Sequence, residues 1–419
     1  MASANLTNDN DDFRKREIDD VTDWSEVITA ATKIIAFMGK LSIARNRVPS
    51  FQIDQIDQKK IPLIQDPESF RMALFQIYAD SFEAITKAHI DMLRIQLKTG
   101  QVPRYYANYM EYLKNDDRKA KKNSIRRRLD RIKQDIDDGA TISKEVCDAF
   151  DKLSQLIGQV IEALMTSLDV KRKEITDEIG DETTRKQQEN IYKLRKKLET
   201  AEENVKEKRK DLDDIGKPKM GVWHSFFRHE PTEESLEHAR KMLEDAENKL
   251  KNIREKVQNE LEIISNENIQ NWKHVRGDVD KVVDRNEMLQ ILNDGLNYLG
   301  QYQDKWSGMH RYFIQMSNDL TKILLTDFSA ERVEGNNAIE ELENSLQMTL
   351  EFCAKMHHSA IMHAKVFDKY IMKSILLEMQ PMLFIPHGEI EEAQMRWQSS
   401  WEEASNGIKD MYKKDATLE

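Results

Sequence analysis

His357, His358 and His363 cluster on one predicted helix beside Met356 and Met362. Two imidazoles on one helix share a metal when they stand four residues apart on the same face. Here His363 follows the other two by six and five positions, so no metal site is expected. The surrounding Leu350, Phe352, Met356, Ile361, Val366, Phe367 and Ile371 read instead as bundle packing, with methionine filling irregular gaps. Cys147 and Cys353 are too few and too far apart for a disulfide framework or a metal site. Free thiols fit a reducing compartment or a fold that needs no staple. Carboxylates are plentiful, but on long helices they form a solvated face and pair with cations one turn away. The chain carries no glycine-rich phosphate loop, no nucleophile elbow and no zinc-hydrolase motif. It therefore reads as a protein without catalytic residues, cofactor or small-molecule substrate.

What remains is surface chemistry, at two places. Arg118–Lys133, "RKAKKNSIRRRLDRIK", holds nine basic residues against one acid in an otherwise acidic chain. Arg118, Lys119, Lys121, Lys122, Arg126, Arg127 and Arg128 could meet anionic lipid, nucleic acid or an import receptor. No aromatics interleave with them, which argues against single-stranded nucleic acid. The plainer reading makes Ile125, Leu129 and Ile132 the buried stripe of a short helix whose cations pair with acidic neighbours. The second place is "KPKMGVWHSFFRHEP", Lys217–Pro231. Met220, Val222, Trp223, Phe226 and Phe227 gather there between glycine and proline, with Lys217, Lys219 and Arg228 beside them. Aromatic rings partition to the headgroup level of a membrane, and neighbouring cations meet anionic lipid. Docking to a protein partner, or folding back onto a neighbouring helix, would occupy the same rings.

Such residues act only if the rest of the chain positions them. Of 419 residues, 33% are charged and only 14 are Gly and 8 Pro, a balance that favours long helices over sheets or disorder. The net charge is −11. The N-terminus, "MASANLTNDNDDFRKRE", is polar and lacks the apolar core of a secretory signal. No run of 18 uncharged apolar residues appears; the most apolar candidate, Ile371–Pro386, is broken by Lys373, Glu378, Gln380 and Pro381. The expectation is a chain made soluble in the cytoplasm, either released later or peripheral at membranes.

Residues 1–20 read as a mobile tail. A first helix is expected from Asp23, where Asp23-Trp24-Ser25-Glu26 has the form of a capping box, to about Arg47. Asp66-Pro67-Glu68 opens a second, which closes at Gly100. A polar helical piece over 104–138 should end at Gly139. The Pro-free stretch Thr141–Gly216 spans roughly 110 Å if helical throughout, at ~1.5 Å per residue. After the aromatic turn another run continues to about Gly300, and further helices are expected at about 301–333, 337–380 and 389–414. The fold class is all-α: an elongated helical bundle with a long antiparallel coiled-coil hairpin. Residues 21–180 and 265–415 would build the body, and 181–264 the hairpin.

The hairpin follows from spacing. Ile191, Leu194, Leu198, Ala201, Val205, Lys208, Leu212 and Ile215 enter the turn at alternating steps of three and four. Leu236, Ala239, Leu243, Ala246, Leu250, Ile253 and Val257 leave it in the same way. Closing the chain at 217–231 sets Leu212 against Ala239, Val205 against Ala246, Ala201 against Leu250, Leu198 against Ile253 and Leu194 against Val257. Small residues face large ones, as in an interdigitated seam. The tip would then stand at the far end of the arms, well away from the body.

Leu289–Leu324, "LQILNDGLNYLGQYQDKWSGMHRYFIQMSNDLTKIL", carries Trp306, Phe313, Met316 and Leu320 along one helix. With the hairpin and its apolar tip, this layout resembles the cytolysin A family of α-helical pore-forming toxins, which includes components of bacterial tripartite enterotoxins. The resemblance implies that Leu289–Leu324 packs against the N-terminal helices and that the protein meets a membrane through the hairpin tip. It also implies a homo-oligomer or partner toxin-like subunits. Pore-forming members have a tongue of about twenty apolar residues, whereas Met220–Phe227 is eight residues long. So short a tip could lie in one leaflet without crossing it. The resemblance thus implies membrane binding more firmly than lysis. A rival reading is an intracellular coiled-coil scaffold or membrane-curvature module without lytic activity, its arms paired between chains.

Overall fold

The computed structural model describes residues 18–47, 61–113, 118–176, 279–329, 336–376 and 389–415, apart from 20 and 68, together with Met379 and separate positions between 193 and 256. Among the described residues there is no strand, and nearly every one is helical. The elements are α1 (Trp24–Arg47), α2 (Phe70–Thr99), α3 (Val102–Leu113), α4 (Arg118–Thr176), α5 (Val279–Ser329), α6 (Asn336–Val366), a π-helix (Phe367–Leu376) and α7 (Ile390–Asp415).

Helix α1 starts where its cap places it. Asp23 Oδ1 accepts from the Ser25 amide at 2.9 Å and from the Ser25 hydroxyl at 2.6 Å. In α2 the cap is Ser69, three residues beyond the expected Asp66; its hydroxyl accepts from the Met72 amide. The helix stops at Gly100, whose amide donates to Gln96 O at 3.0 Å.

Glycine behaves differently inside the long helices. Gly139 was the expected end of a helix, yet α4 runs through it without interruption for 59 residues. A glycine within a helix costs about 1 kcal/mol relative to alanine, so packing must offset that loss. A Cβ at Gly139 would lie 2.5 Å from the Phe313 ring of α5, so only a hydrogen there lets the ring rest on the α4 backbone. Gly295 of α5 seats Phe37 of α1 in the same way. Gly39 of α1 seats Trp397, and Gly407 of α7 seats Tyr370. The expected boundary near Gly300 is also absent, because α5 is one helix of 51 residues.

These seats show how the body is assembled. Helices α4 and α5 run antiparallel as its central pair, with Phe150 edge-on to Tyr302 at 4.9 Å and His310 Nδ1 at 2.9 Å from Ala140 O. Trp306 and Phe313 are fully buried in α5. Helix α1 lies on α5 through Phe37 and Gly295, so Leu289–Leu324 does pack against an N-terminal helix. Helix α1 is long and apolar enough to cross a membrane by length and composition, but 72% of that stretch is buried in the bundle. Core packing accounts for its apolarity. At the other end of the chain, α7 closes on α1: Trp24 Nε1 donates to Asp415 Oδ2 at 2.7 Å, and Tyr412 meets the Trp24 ring edge-on.

The expected helix over 337–380 is not uniform. It is α-helical to Val366 and then π-helical over Phe367–Leu376. The widened turn carries Phe367 to the core and Tyr370 to Gly407.

Candidate functional site

The arms of the predicted hairpin are described at separate positions between 193 and 211 and between 238 and 256, all of them helical. Ala201, Val205, Ala239, Leu243, Ala246 and Leu250 form a buried cluster of their own. It holds both members of two expected pairs, Val205 with Ala246 and Ala201 with Leu250. Leu194, Leu198, Leu212 and Val257 lie outside the described residues. Lys208, the polar exception in the seam, turns its ammonium to Asp211 at 3.0 Å, which raises its pKa through that hydrogen bond.

The index sums of the expected pairs can be compared with those of observed neighbours in the body. Gly139 with Phe313, Ala140 with His310 and Phe150 with Tyr302 are cross-helix neighbours whose numbers add to between 450 and 452. Val205 with Ala246 and Ala201 with Leu250 share the same value, 451.

The arms are not free-standing at this level. Ile314, midway along α5, packs against the arm cluster as well as the body core. The expectation that the arms hold the tip well away from the body concerns residues 217–231, which lie outside the described residues, whereas this contact has a physical reason. A seam between two helices buries one narrow stripe on each and leaves its edges wet. Leu243 is fully buried and Val205 nearly so, and Ile314 supplies apolar cover from a third helix.

Met220, Val222, Trp223, Phe226 and Phe227, with Lys217, Lys219 and Arg228, lie outside the described residues. The basic run is described in part. Arg118, Lys119, Lys121 and Lys122 lie in the helical backbone of α4, while Arg126 and Arg127 are exposed and Arg128 is half-buried. Leu129, Ile132 and Ile136 are buried on the opposite side. Arg126 and Arg127 thus stand on the solvated side of a packed helix. Lys133 bonds Asp137 one turn on, at 2.6 Å.

The three histidines go to three different surroundings. His357 Nδ1 lies 2.9 Å from Gln96 O, and His358 Nε2 lies 3.1 Å from Asp415 Oδ2. His363 is fully buried, and neither ring nitrogen has a hydrogen-bond partner. It stacks with His89 of α2 and Phe367, the latter two rings being 4.0 Å apart. Burial pushes the His363 pKa down to about 3, with His89 adding to the shift. Burial lowers His89 as well, against the pull of Asp368 at 3.4 Å. Among the described residues no group of three or more His, Cys, Asp or Glu is placed to hold a metal. Cys353 is buried, and burial raises its thiol pKa, which makes it unreactive.

One surface escaped the sequence reading. Helix α2 buries Phe70, Leu74, Ile77, Ile85, Met92 and Ile95 on one side. On another it carries Met72, Phe75, Ala79, Phe82, Thr86, Ile90, Leu93 and Leu97, none of them fully buried. Ile90 is 52% exposed and Leu97 68%. The signal was present as an 18-residue repeat, Met72-Phe75-Ala79 followed by Ile90-Leu93-Leu97. Eighteen residues make about five turns of ~3.6 residues, so the repeat returns to one face of a straight helix.

No family model and no curated protein matches the chain. Among solved structures, the soluble AhlC triple head mutant of the tripartite alpha-pore forming toxin AHL from Aeromonas hydrophila is similar over 79% of this chain and 98% of that chain. The identity is 12% and the TM-score 0.29, a weak resemblance at the level of long packed helices.

Proposed function

We propose that this chain is a non-enzymatic, toxin-component-like helical protein that attaches to a membrane surface through the turn between its two arms. One observation carries the reading: Ala201, Val205, Ala239, Leu243, Ala246 and Leu250 bury one another from both sides of residues 217–231. Continuing their register toward the turn centres it on Ser225 and Phe226, in the middle of the aromatic group. Trp223, Phe226 and Phe227 would enter the headgroup layer of one leaflet, and Lys217, Lys219 and Arg228 would hold anionic lipid. Eight residues cannot cross a hydrocarbon core about 30 Å thick, so the tip attaches the protein and does not form a span. The packing of Ile314 on the arms supports an arrangement in which the arms lie against the body before attachment. The protein would be made soluble and become peripheral at its target membrane, with partner subunits or further copies joining there.

The test is co-sedimentation with vesicles of phosphatidylcholine and phosphatidylserine. Trp223→Ala combined with Phe226→Ala should abolish binding at unchanged helix content. Binding equal to that of the unaltered protein would remove the tip from the mechanism. Vesicle leakage, measured in the same samples, separates attachment from lysis.

A further inference from the structure

We propose that the rings joining α2 to the end of α6 form an acid-sensitive hinge. Charging His363 and His89 releases Phe367, relaxes the π-helix and lifts Tyr370 from its seat on Gly407 of α7. This goes beyond the tip reading and does not depend on it. The rings of His89 and Phe367 lie 4.0 Å apart and 7° from parallel, and His363 stands 5.8 Å from the first and 5.7 Å from the second. All three are buried, and neither nitrogen of His363 nor Nδ1 of His89 has a hydrogen-bond partner. Neutral imidazoles are tolerated there. A proton on His363 would find no acceptor, and an unpaired charge in a core is far costlier than an unpaired dipole. The cost is relieved when the rings part and water reaches them.

The surrounding charges offer no other outlet. Asp368 Oδ1 stands 3.4 Å from His89 Nε2, at the exposed edge, and so serves His89 and not His363. On α2, Lys87 and Asp91 flank His89 but pair with each other at 2.6 Å. Lys365 of α6 and Lys369 of the π-helix are exposed. Among the described residues no charge from α1, α3, α5 or α7 bears on either imidazole. What moves is set by the adjoining backbone. Phe367 opens a ten-residue π-helix, whereas such bonding usually lasts a single turn within an α-helix. Phe367 against His89 and Tyr370 against Gly407 hold this wide form at two points. With the first point lost, a return to the commoner α-helical ladder turns Tyr370 about the helix axis and off Gly407. A bistable backbone biased by buried histidines is what a pH switch needs. The end of α7 responds in the opposite sense, because His358 lies 3.1 Å from Asp415 Oδ2 and a protonated imidazole holds that carboxylate more tightly. The hinge therefore opens the middle of α7 and leaves its last turn clasped.

Hydrogen exchange of the full chain at pH 7.5 and pH 5, resolved by peptide and corrected for intrinsic rates, tests the hinge. His363 has a pKa of about 3 in the closed form and about 6.5 once hydrated, so closure is favoured above the higher value and lost as the pH falls. The opening constant should rise ~30-fold between the two conditions through His363 alone. Protection should drop by about that factor over residues 367–376 and around Gly407, and change little in the last turn of α7. His363→Leu should remove most of this response. Gly407→Ala should deprotect residues 367–376 already at pH 7.5, because the added methyl displaces Tyr370 from the other side. Equal protection at both pH values overturns the inference, as does a drop that persists in full in His363→Leu. A loss shared by all helices would mean global unfolding and no hinge. Continued protection around Gly407 while 367–376 opens, or a Gly407→Ala chain whose 367–376 stays closed, would overturn the link to α7.

Discussion

Mild acid should weaken the packing of α2 against α6 through one side chain. His363 is fully buried, with neither ring nitrogen bonded, and its ring stacks with His89 from α2 and near Phe367 of the π-helix. The groups that bear on its charge are His89 and, behind His89, Asp368. Burial holds the His363 pKa at about 3, against about 6.5 for an unfolded histidine. The folded pKa is the lower one, so between these values the unfolded chain binds the proton that the folded chain refuses. Stability is then complete above about pH 6.5 and falls as the pH drops toward 3. At pH 5 the unfolded histidine is ~1.5 units below its pKa, which costs the fold about 2 kcal/mol at ~1.4 kcal/mol per unit. His89, also lowered by burial, acts in the same direction. The measurement is urea unfolding from pH 7.5 to 5, for the unaltered chain and for His363→Leu. The leucine variant forfeits no hydrogen bond, so the two should be similar at pH 7.5 and diverge by about 2 kcal/mol at pH 5 in its favour. The difference between the chains cancels the carboxylates, which titrate in both. Parallel pH profiles would refute the reasoning and show His363 reaching water or a bonding partner.

Two further outcomes test the packing. Gly139→Ala should destabilise the body despite its better helix propensity, because the Phe313 ring is buried and cannot withdraw; about 1–3 kcal/mol is expected by thermal unfolding. Pairing it with Phe313→Leu should restore much of that loss, and a Gly139→Ala chain as stable as its parent would mean the ring does not rest on the helix. Leu243→Ala should cost the arms about 2–5 kcal/mol, seen as faster proteolysis between residues 193 and 256. The core of the body is a separate cluster, so its melting should be nearly unchanged; equal loss in both would join arms and body into one cooperative unit.

Much of this protein could be read from residue order. Abundant charge, scarce glycine and proline, and apolar positions at steps of three and four admit helices and little else. The cap at Asp23 and the stop at Gly100 follow from local backbone chemistry, and both appear in the structure. The meeting of Val205 and Ala246 in one cluster was legible because antiparallel pairing ties distant positions through a single arithmetic relation. Tertiary structure decided the rest, where the meaning of a residue depends on what lies across from it. Gly139 looks like a helix end along the chain and becomes a seat only when Phe313 arrives from more than 170 positions away. His363 is an ordinary histidine until the bundle closes over it and removes its water. The outer stripe of α2 has the same apolar chemistry as the inner face. Only the packed fold shows which of the two is covered, because burial belongs to the assembled surface and not to the residue.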